Sequence, residues 1–281
     1  MLPILDFKNN NLTAFDGNHL SGTLPSTIGR TLPNLEGLYM ATNTIGGPIP
    51  NSLSNCSNLQ FIELAENNVT GPILYSLGDL RLLEVLDLDQ NNLINDPSSL
   101  VLNFIASLAN CKSLILSDNP LDTFFPDSVG NMSSSLEDIY ASNCKIKGTI
   151  PSWIGNLSSL NTLALSDNQL TRPLPDSVKN WQNLQRLYLE KNKISISLKL
   201  FCGCSKLGVL DLEENLTVGG AIPYCLGNIT SMRCLYLNST GLNSSLLVSL
   251  WNLKDISELD ISSNSLTGSL LLARYSPQLG Q

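Results

Sequence analysis

Four carboxylates in the first third of the chain are the side chains whose types and spacing most suggest chemistry: Glu63, Glu66, Asp87 and Asp89. Paired carboxylates can act as general acid and general base. We expect these four side chains to lie on an open sheet, where both carboxylates of a pair stay solvated by water. We therefore do not expect catalysis. The single histidine, His19, also argues against a histidine-based metal site or catalytic triad.

Composition sets the class of the molecule. The chain has 281 residues, of which 42% are hydrophobic, enough to bury a large core. Only 14% are charged and the net charge is −8, which argues against nucleic acid as a partner because phosphate contacts need clustered Lys and Arg. We expect no cofactor. No apolar run approaches the length of a membrane span, and the opening MLPILDFKNNN lacks the regions of a signal peptide.

Four of the seven tyrosines recur at one position of an internal repeat. The repeat has the form LxxLxLxxNxL, as in LNTLALSDNQL at 160–170, and its turn position recurs every 23–28 residues. The turn positions are Asn18, Asn43, Asn67, Asn91, Asn119, Cys144, Asn168, Asn192, Asn215, Thr240 and Asn264.

This spacing predicts a solenoid of about eleven repeats. Each repeat forms one short strand and a turn, then returns on the opposite side, and successive strands pair in parallel about 4.8 Å apart. An inward-facing asparagine both donates and accepts, so it can satisfy backbone groups of neighbouring coils at the bend. Thr240 can do so only in part, and we expect its coil to be weaker. The 28-residue interval from Asn91 to Asn119 predicts a distorted coil.

The exposed strand position between the two inner leucines predicts a row of side chains along the inner face of the sheet. The row reads Tyr39, Glu63, Asp87, Ile115, Tyr140, Ala164, Tyr188, Asp211, Tyr236 and Asp260. Acidic residues flank it at Glu66, Asp89, Asp118, Asp167, Glu190, Glu213 and Glu214. A solvated sheet surface and a specific ligand surface both account for these residue types.

Two parts of the row are candidate binding sites. Tyr140, Tyr188 and Tyr236 offer large contact area at low entropic cost, and Arg186, Glu190 and Lys191 stand beside them. Such a track suits an extended peptide better than a small molecule. The competing site is the acidic patch of Glu63, Glu66, Asp87 and Asp89, which would prefer a basic partner.

The second half of each repeat narrows the class through a GxIP-like element, as in GPIP at Gly47–Pro50 and GTIP at Gly148–Pro151. The combined pattern LxxLxxLxLxxNxLxGxIPxxLxxL is similar to the plant-specific leucine-rich repeat. Stretches such as SLANCKSL and IPYCLGNI resemble the ectodomains of plant receptor-like serine/threonine kinases, in the class that perceives microbial patterns.

The resemblance implies an α/β solenoid, a right-handed superhelix or horseshoe with parallel strands on its concave face. It also implies a secreted, glycosylated, cell-surface protein that binds a peptide or protein and recruits a co-receptor kinase. We expect one leucine-rich repeat domain over 1–281, with an irregular start at 1–17 and an incomplete last repeat at 256–281. The family's N-terminal cap, transmembrane helix and kinase motifs are missing, so we interpret the sequence as a fragment or a truncated gene model that is not itself an enzyme.

Cysteines and asparagines add predictions for a secreted protein. Cys202 and Cys225 lie 13 and 15 residues before their turn positions on adjoining coils, so we predict that they form a disulfide, with Cys204 as the alternative partner. CGC at 202–204 is too closely spaced for a zinc pair. Among the N-x-S/T sequons, the candidates for glycosylation are Asn68, Asn131, Asn156 and Asn228.

The sequence is compatible with three functions. The first is extracellular recognition by a plant receptor kinase, in immune or developmental signalling at the plasma membrane. The second is a secreted inhibitor of a pathogen cell-wall hydrolase, which uses the same repeat. The third is a truncated product that has no ligand.

Overall fold

A sheet of ten parallel strands runs along the computed structural model, which describes residues 15–127, 135–215, 218, 220–245 and 248–268. Each strand pairs only with the strand of the preceding repeat and that of the next. The strands are Gly37–Tyr39, Phe61–Glu63, Val85–Asp87, Ser113–Ile115, Asp138–Tyr140, Thr162–Ala164, Arg186–Tyr188, Val209–Asp211, Cys234–Tyr236 and Glu258–Asp260. The predicted leucine-rich repeat solenoid is therefore confirmed.

A second set of parallel strands follows the turn positions, and the sequence analysis did not predict it. One four-stranded sheet contains Ser21–Thr23, Thr44–Pro48, Asn68–Pro72 and Asn92–Ile94, and one three-stranded sheet contains Lys147–Gly148, Gln169–Pro173 and Lys193–Ser195. The glycines of the GxIP element lie in these strands at positive φ, for example 72° at Gly47. Glycine adopts this backbone conformation without the strain that a side chain brings.

The interruption between these two sheets falls in the long repeat between Asn91 and Asn119 and in the repeat after it. Here the strand pairing is reduced to isolated bridges, from Val101 to Phe124 and from Phe124 to Lys147, and to single backbone hydrogen bonds such as Asn95 N to Leu121 O at 3.2 Å. The ten-stranded sheet continues without a break. In the described residues, the distortion predicted from the 28-residue interval therefore shows on the flank that follows the turn positions.

Nine single helical turns in the described residues carry the chain back to the start of a following strand. One is an α-helix, Ile28–Thr31, and the others are 3₁₀ helices at Asn51–Asn55, Tyr75–Asp79, Asn103–Ser107, Ser152–Asn156, Asp176–Asn180, Leu198–Gly203, Tyr224–Asn228 and Val248–Asn252. Several begin after the proline of GxIP; Pro151, for example, is extended and its carbonyl accepts from Ile154 N at 3.2 Å. Proline's fixed φ and missing N–H suit this position.

The leucines of the repeat fill the interior. Leu160, Leu163, Leu165 and Leu170 are all fully buried. Their odd spacing follows from the fold: Leu160 precedes the strand Thr162–Ala164, Leu163 lies on it, Leu165 follows it directly, and Leu170 lies beyond the bend. One repeat has no second layer to cover these side chains, so burial comes from stacking against its neighbours.

The asparagine at the bend joins three stretches of backbone. Asn168 Nδ2 donates to Ala141 O at 2.8 Å in the preceding coil, and to Leu165 O and Ser166 O at 3.0 Å in its own. Its Oδ1 accepts from Cys144 N at 3.2 Å and Ile146 N at 2.8 Å. Asn67, Asn91, Asn119, Asn192 and Asn215 make the same donor contacts.

The first and last turns of the ladder follow the same rule with more exposure. Asn43 donates to Phe15 O in the coil before it and to Met40 O and Ala41 O in its own coil. Asn264 likewise donates to Leu237 O at 2.7 Å. Asn18, the turn position before Asn43, is exposed, and its Nδ2 donates to Phe15 O and Asp16 O within its own turn.

Two coils depart from asparagine, and each loses part of the pattern. The Cys144 thiol lies 3.2 Å from Leu116 O and 3.3 Å from Ser142 O, but sulfur is a weak acceptor, and Leu121 N bonds to Asn119 O instead. The Thr240 hydroxyl bonds to Leu237 O within its own coil and lies 3.4 Å from Asn264 Oδ1 in the next; among the described residues it has no partner in the preceding coil.

Cys202 and Cys225 are joined by a disulfide, with their Cα atoms 5.4 Å apart on adjoining coils. Cys204 is fully buried with a free thiol, as are Cys56, Cys111 and Cys144. Burial raises the pKa of the Cys111 and Cys144 thiols to about 12, so these groups stay protonated and pack as small apolar side chains.

We expect Asn168→Ala to lower the free energy of unfolding by at least about 2 kcal/mol, since each buried backbone group left without a partner costs roughly 1–3 kcal/mol. Urea denaturation of the full chain measures this. Asn180→Ala is the matched control, because Asn180 is exposed at the end of a 3₁₀ helix. An unchanged midpoint for Asn168→Ala would contradict the structural role of the ladder.

Replacing both Cys202 and Cys225 with serine should destabilise the chain by about 3 kcal/mol, because the bond closes a loop of 23 residues in the unfolded state. Cys234→Ser is the control, since that thiol is free and partly exposed. Equal urea midpoints for the double variant and the unmodified chain would show that the bond adds no stability.

Candidate ligand-binding face

The ten-stranded sheet places its last strand residues in one continuous row. Residue pairing runs from Tyr39 opposite Glu63 through to Tyr236 opposite Asp260, without a slip at any repeat. Parallel strands in register hold equivalent side chains on the same face. The row reads as the sequence predicts, from Tyr39 to Asp260.

A groove of about 670 Å³ interrupts this row where Ala164 stands between Tyr140 and Tyr188. Ala164 is buried, so its methyl group forms part of the floor. The lining residues come from four successive repeats and are Asp118, Tyr140, Ser142, Asn143, Ala164, Ser166, Asp167, Tyr188 and Glu190. All of them lie on or just beyond the strands of one face, so the groove has a floor and two side walls but no opposing wall.

The structure brings some of the predicted binding residues together and separates others. Tyr140, Tyr188 and Glu190 line the groove. Tyr236 lies two strands further along, beyond Asp211, and its hydroxyl is hydrogen-bonded to the Glu258 carboxylate.

The basic residues of this face are tied to their neighbours. Arg186 Nε donates to Thr162 Oγ1 at 3.0 Å, and its guanidinium lies 3.9 Å from Asp138. Lys191 Nζ lies 3.8 Å from Asp167. Both cations keep substantial exposure. They help to hold adjoining strands in place, a role that the repeat pattern alone did not reveal.

Six residues of the groove were not among the predicted binding residues: Asp118, Ser142, Asn143, Ala164, Ser166 and Asp167. Ala164 belongs to the predicted row, and Asp118 and Asp167 to the acidic residues that flank it. Ser142 and Ser166 follow the strand by two residues, and Asn143 and Asp118 precede the turn residue at positive φ, 52° and 55°. The sequence carries a signal for them, because each occupies a fixed place in the repeat adjoining the predicted row.

Carboxylates crowd the surface beyond Tyr188. Burial, together with the nearby charges of Glu190 and Glu213, raises the pKa of Asp211 to about 7, while the backbone N–H of Glu213 and the charge of Lys191 oppose the shift. Glu190 Oε2 is buried and has no hydrogen-bond partner. Burial also raises the pKa of Tyr188, so this ring remains a neutral phenol.

The competing acidic patch also forms on this face. Burial and mutual repulsion raise the pKa of Glu63, with Asp16 and Asp87 as its neighbours, and the pKa of Asp87, with Asp89 and Glu66. The ion pairs found in the described part of the chain lie elsewhere, at Lys112–Glu84, Lys147–Asp122, Arg186–Asp138 and Lys191–Asp167. Within residues 15–127 and the other described ranges, no group of three His, Cys, Asp or Glu is arranged to hold a metal ion.

The candidate glycosylation sites lie away from this face where they can be placed. Asn156 and Asn228 are exposed at the ends of 3₁₀ helices, and Asn68 is exposed at the start of a strand in the four-stranded sheet. Asn131 lies outside the described residues. In the described ranges, no helix has the length and apolar character to cross a bilayer.

We expect Asp211→Asn to stabilise the chain more at pH 8 than at pH 4. Because the folded-state pKa of Asp211 is above its unfolded value, the native state holds the extra proton between about pH 4 and 7, and stability falls as pH rises through that window. The gain above pH 7 should be roughly 1–2 kcal/mol after allowance for partial exposure. Urea midpoints of both proteins across this range measure it; a difference that does not vary with pH contradicts the assignment.

Two family models match the chain. One, described as leucine rich repeat, matches residues 134–194 and 158–216, and a second of the same description matches residues 34–56 and 110–132. No curated protein sequence matches.

Several solved structures are similar to this chain. One is the ectodomain of the Arabidopsis thaliana receptor kinase GASSHO1/SCHENGEN3, bound to CASPARIAN STRIP INTEGRITY FACTOR 2. Its sequence is 32% identical and its TM-score is 0.80, and the match covers 89% of this chain and 29% of that one. Another is the Arabidopsis receptor kinase HAESA in complex with the peptide hormone IDA and the co-receptor SERK1. It is 30% identical with a TM-score of 0.81, and the match covers 89% of this chain and 41% of that one. A third, a leucine-rich repeat protein of Leptospira interrogans, is 31% identical with a TM-score of 0.71, and the match covers 89% of this chain and 60% of that one.

The chain spans less than half the length of either plant ectodomain. Its ten-stranded sheet, its asparagine ladder and these matches agree on one class of protein. The chain is a leucine-rich repeat domain, and it resembles the ectodomains of plant receptor kinases.

Proposed function

We propose that this chain recognises an extended peptide, or an extended segment of a protein, across the row from Tyr140 to Tyr236. The observation that supports this most directly is the open groove between Tyr140 and Tyr188. Its volume falls within the range of small-molecule sites, roughly 300–1,000 Å³. A small molecule there would keep one whole side in water because the groove has no opposing wall, whereas a peptide gains further contacts along the row.

The relatives support the same proposal by analogy. GASSHO1/SCHENGEN3 is bound to CASPARIAN STRIP INTEGRITY FACTOR 2, and HAESA to a peptide hormone and a co-receptor. We infer that this chain acts as part of the extracellular domain of a plant receptor kinase at the plasma membrane, in immune or developmental signalling, and that a co-receptor kinase joins the complex. The kinase activity would belong to a longer parent protein.

Glycosylation is part of this proposal. We infer that Asn156 and Asn228 carry N-linked glycans, since both are exposed sequon asparagines on short helices remote from the ten-stranded sheet. Asn68 is a further candidate because it too is exposed, and Asn131 remains a candidate on its sequon alone. Glycans at the first two positions would leave the proposed peptide face free.

Two alternative functions can be distinguished from this proposal. A secreted inhibitor of a cell-wall hydrolase would use the same repeat, and a longer transcript that encodes a transmembrane segment and a kinase would exclude that function. A truncated product without a ligand would bind no peptide through the residues of the row.

The acidic patch at Glu63, Glu66, Asp87 and Asp89 is the competing binding site. It predicts a basic partner whose affinity falls as the salt concentration rises.

A library of random 12-residue peptides displayed on phage, selected on the full chain, provides the test. We expect the recovered peptides to lose at least tenfold in affinity when Tyr140, Tyr188 and Tyr236 are all replaced by alanine, because tyrosines supply much of the contact area. Titration calorimetry measures the affinity, and circular dichroism checks the fold of the variant. Tyr224→Ala is the control, since Tyr224 is exposed on a 3₁₀ helix.

Unchanged affinity in the folded triple variant would move the site to the acidic patch or elsewhere. A selection that recovers no peptide above background would overturn peptide recognition by this chain.

A further inference from the structure

At Ala164 the row lacks a large side chain, between Tyr140 on one side and Tyr188 on the other. Strands in a sheet lie about 4.8 Å apart, so the two tyrosine positions are roughly 10 Å from each other. A side chain placed over the Ala164 methyl therefore lies between these two positions, where a third tyrosine of the row would stand. The groove of about 670 Å³ extends past this place along four repeats, so that one side chain fills only part of it.

The lining makes this space attractive to a cation. Of the three carboxylates, Asp118 accepts a hydrogen bond from Asn143 Nδ2 at 2.7 Å, and Asp167 has Lys191 at 3.8 Å. Glu190 also lines the groove, and it takes part in none of the ion pairs found among the described residues. A cation brought in by a ligand would be attracted to this uncompensated carboxylate.

Other occupants fit the lining less well. An apolar side chain would remove water from the carboxylates and return no hydrogen bond, and an anionic side chain would be repelled. A cation between two aromatic rings is attracted to both when it lies within about 6 Å of each ring centre. A guanidinium is flat, is weakly hydrated and carries several N–H donors, so it matches a slot with rings at its sides and a carboxylate at its edge.

We propose that the groove over Ala164 is a subsite for one arginine side chain of the bound peptide, with Tyr140 and Tyr188 flanking the guanidinium and Glu190 accepting its N–H. This assignment rests on the proposed peptide recognition and names the residue that the same face selects. Ser142 and Ser166 keep the floor low enough for the side chain to enter.

Two variants test the subsite on the full chain. Ala164→Ile fills the space, and the sheet tolerates it because Ile115 occupies the equivalent position of another repeat. Glu190→Gln removes the charge and keeps the shape. Asp176→Asn is the matched control, since Asp176 is an exposed carboxylate on a 3₁₀ helix and does not line this groove.

The first probe is a 12-residue peptide recovered by the selection described above. We expect the recovered sequences to share an arginine, and replacing it with leucine or glutamate to weaken binding at least about tenfold. Ala164→Ile and Glu190→Gln should weaken the arginine peptide to a similar extent, while Asp176→Asn should leave it unchanged. In the Glu190→Gln variant the arginine and leucine peptides should differ less than in the unmodified chain.

The second probe is N-acetyl-arginine methylamide, titrated against the chain with the Ala164 methyl observed by NMR. We expect a saturable shift that is absent with N-acetyl-leucine methylamide. Peptides that need the tyrosines but tolerate leucine at every basic position would overturn the subsite and leave peptide recognition intact. Peptides that bind independently of the tyrosines would overturn peptide recognition on this row itself.

Discussion

The side-chain amide at each bend is the interaction on which the rest of the solenoid depends. Where the chain leaves the ten-stranded sheet, its backbone carbonyls turn into the interior, and buried carbonyls without partners are costly. Asn168 satisfies carbonyls of two coils at once, Ala141 O in one and Leu165 O in the other. This shared bonding requires each coil to lie directly over the last. The ladder therefore supports the pairing register of the row, and the register also continues through the coils of Cys144 and Thr240, which lack the amide.

The same bend fixes where variation is tolerated. The residue before each ladder position is at positive φ, as at Asp167 (52°) and Lys191 (54°), and its amide donates to the next coil. Apart from Gly17, at φ 64° before Asn18, these residues are not glycine, and their side chains are free of the core. Charge on this edge can therefore change from repeat to repeat while the buried amide network keeps its geometry.

The repeat length, together with the leucine and asparagine positions, predicts the ten-stranded sheet and the residues of the row. Both the sheet and the row follow from a repeat period that can be read directly from the sequence. The second set of strands was missed because GxIP segments have no alternating pattern and contain glycines such as Gly47 at positive φ. The groove itself was not predicted, although the row places the small Ala164 between Tyr140 and Tyr188. Its unpartnered Glu190 oxygen and the ties of Arg186 to Thr162 and Asp138 depend on side-chain rotamers, which spacing does not determine.

The spacing of strands in the ten-stranded sheet does not match the spacing of side chains along a peptide that crosses it. Its strands are spaced by about 4.8 Å, while an extended segment crossing them presents side chains to one face about every 6.8 Å. Three strand intervals, near 14.4 Å, almost equal two such side-chain intervals, near 13.6 Å. A crossing peptide thus returns to the same phase relative to the sheet only once in about three repeats. Identical repeats would therefore offer it non-identical surroundings, and the row from Tyr39 to Asp260 need not repeat its residue types to present separate, distinguishable positions.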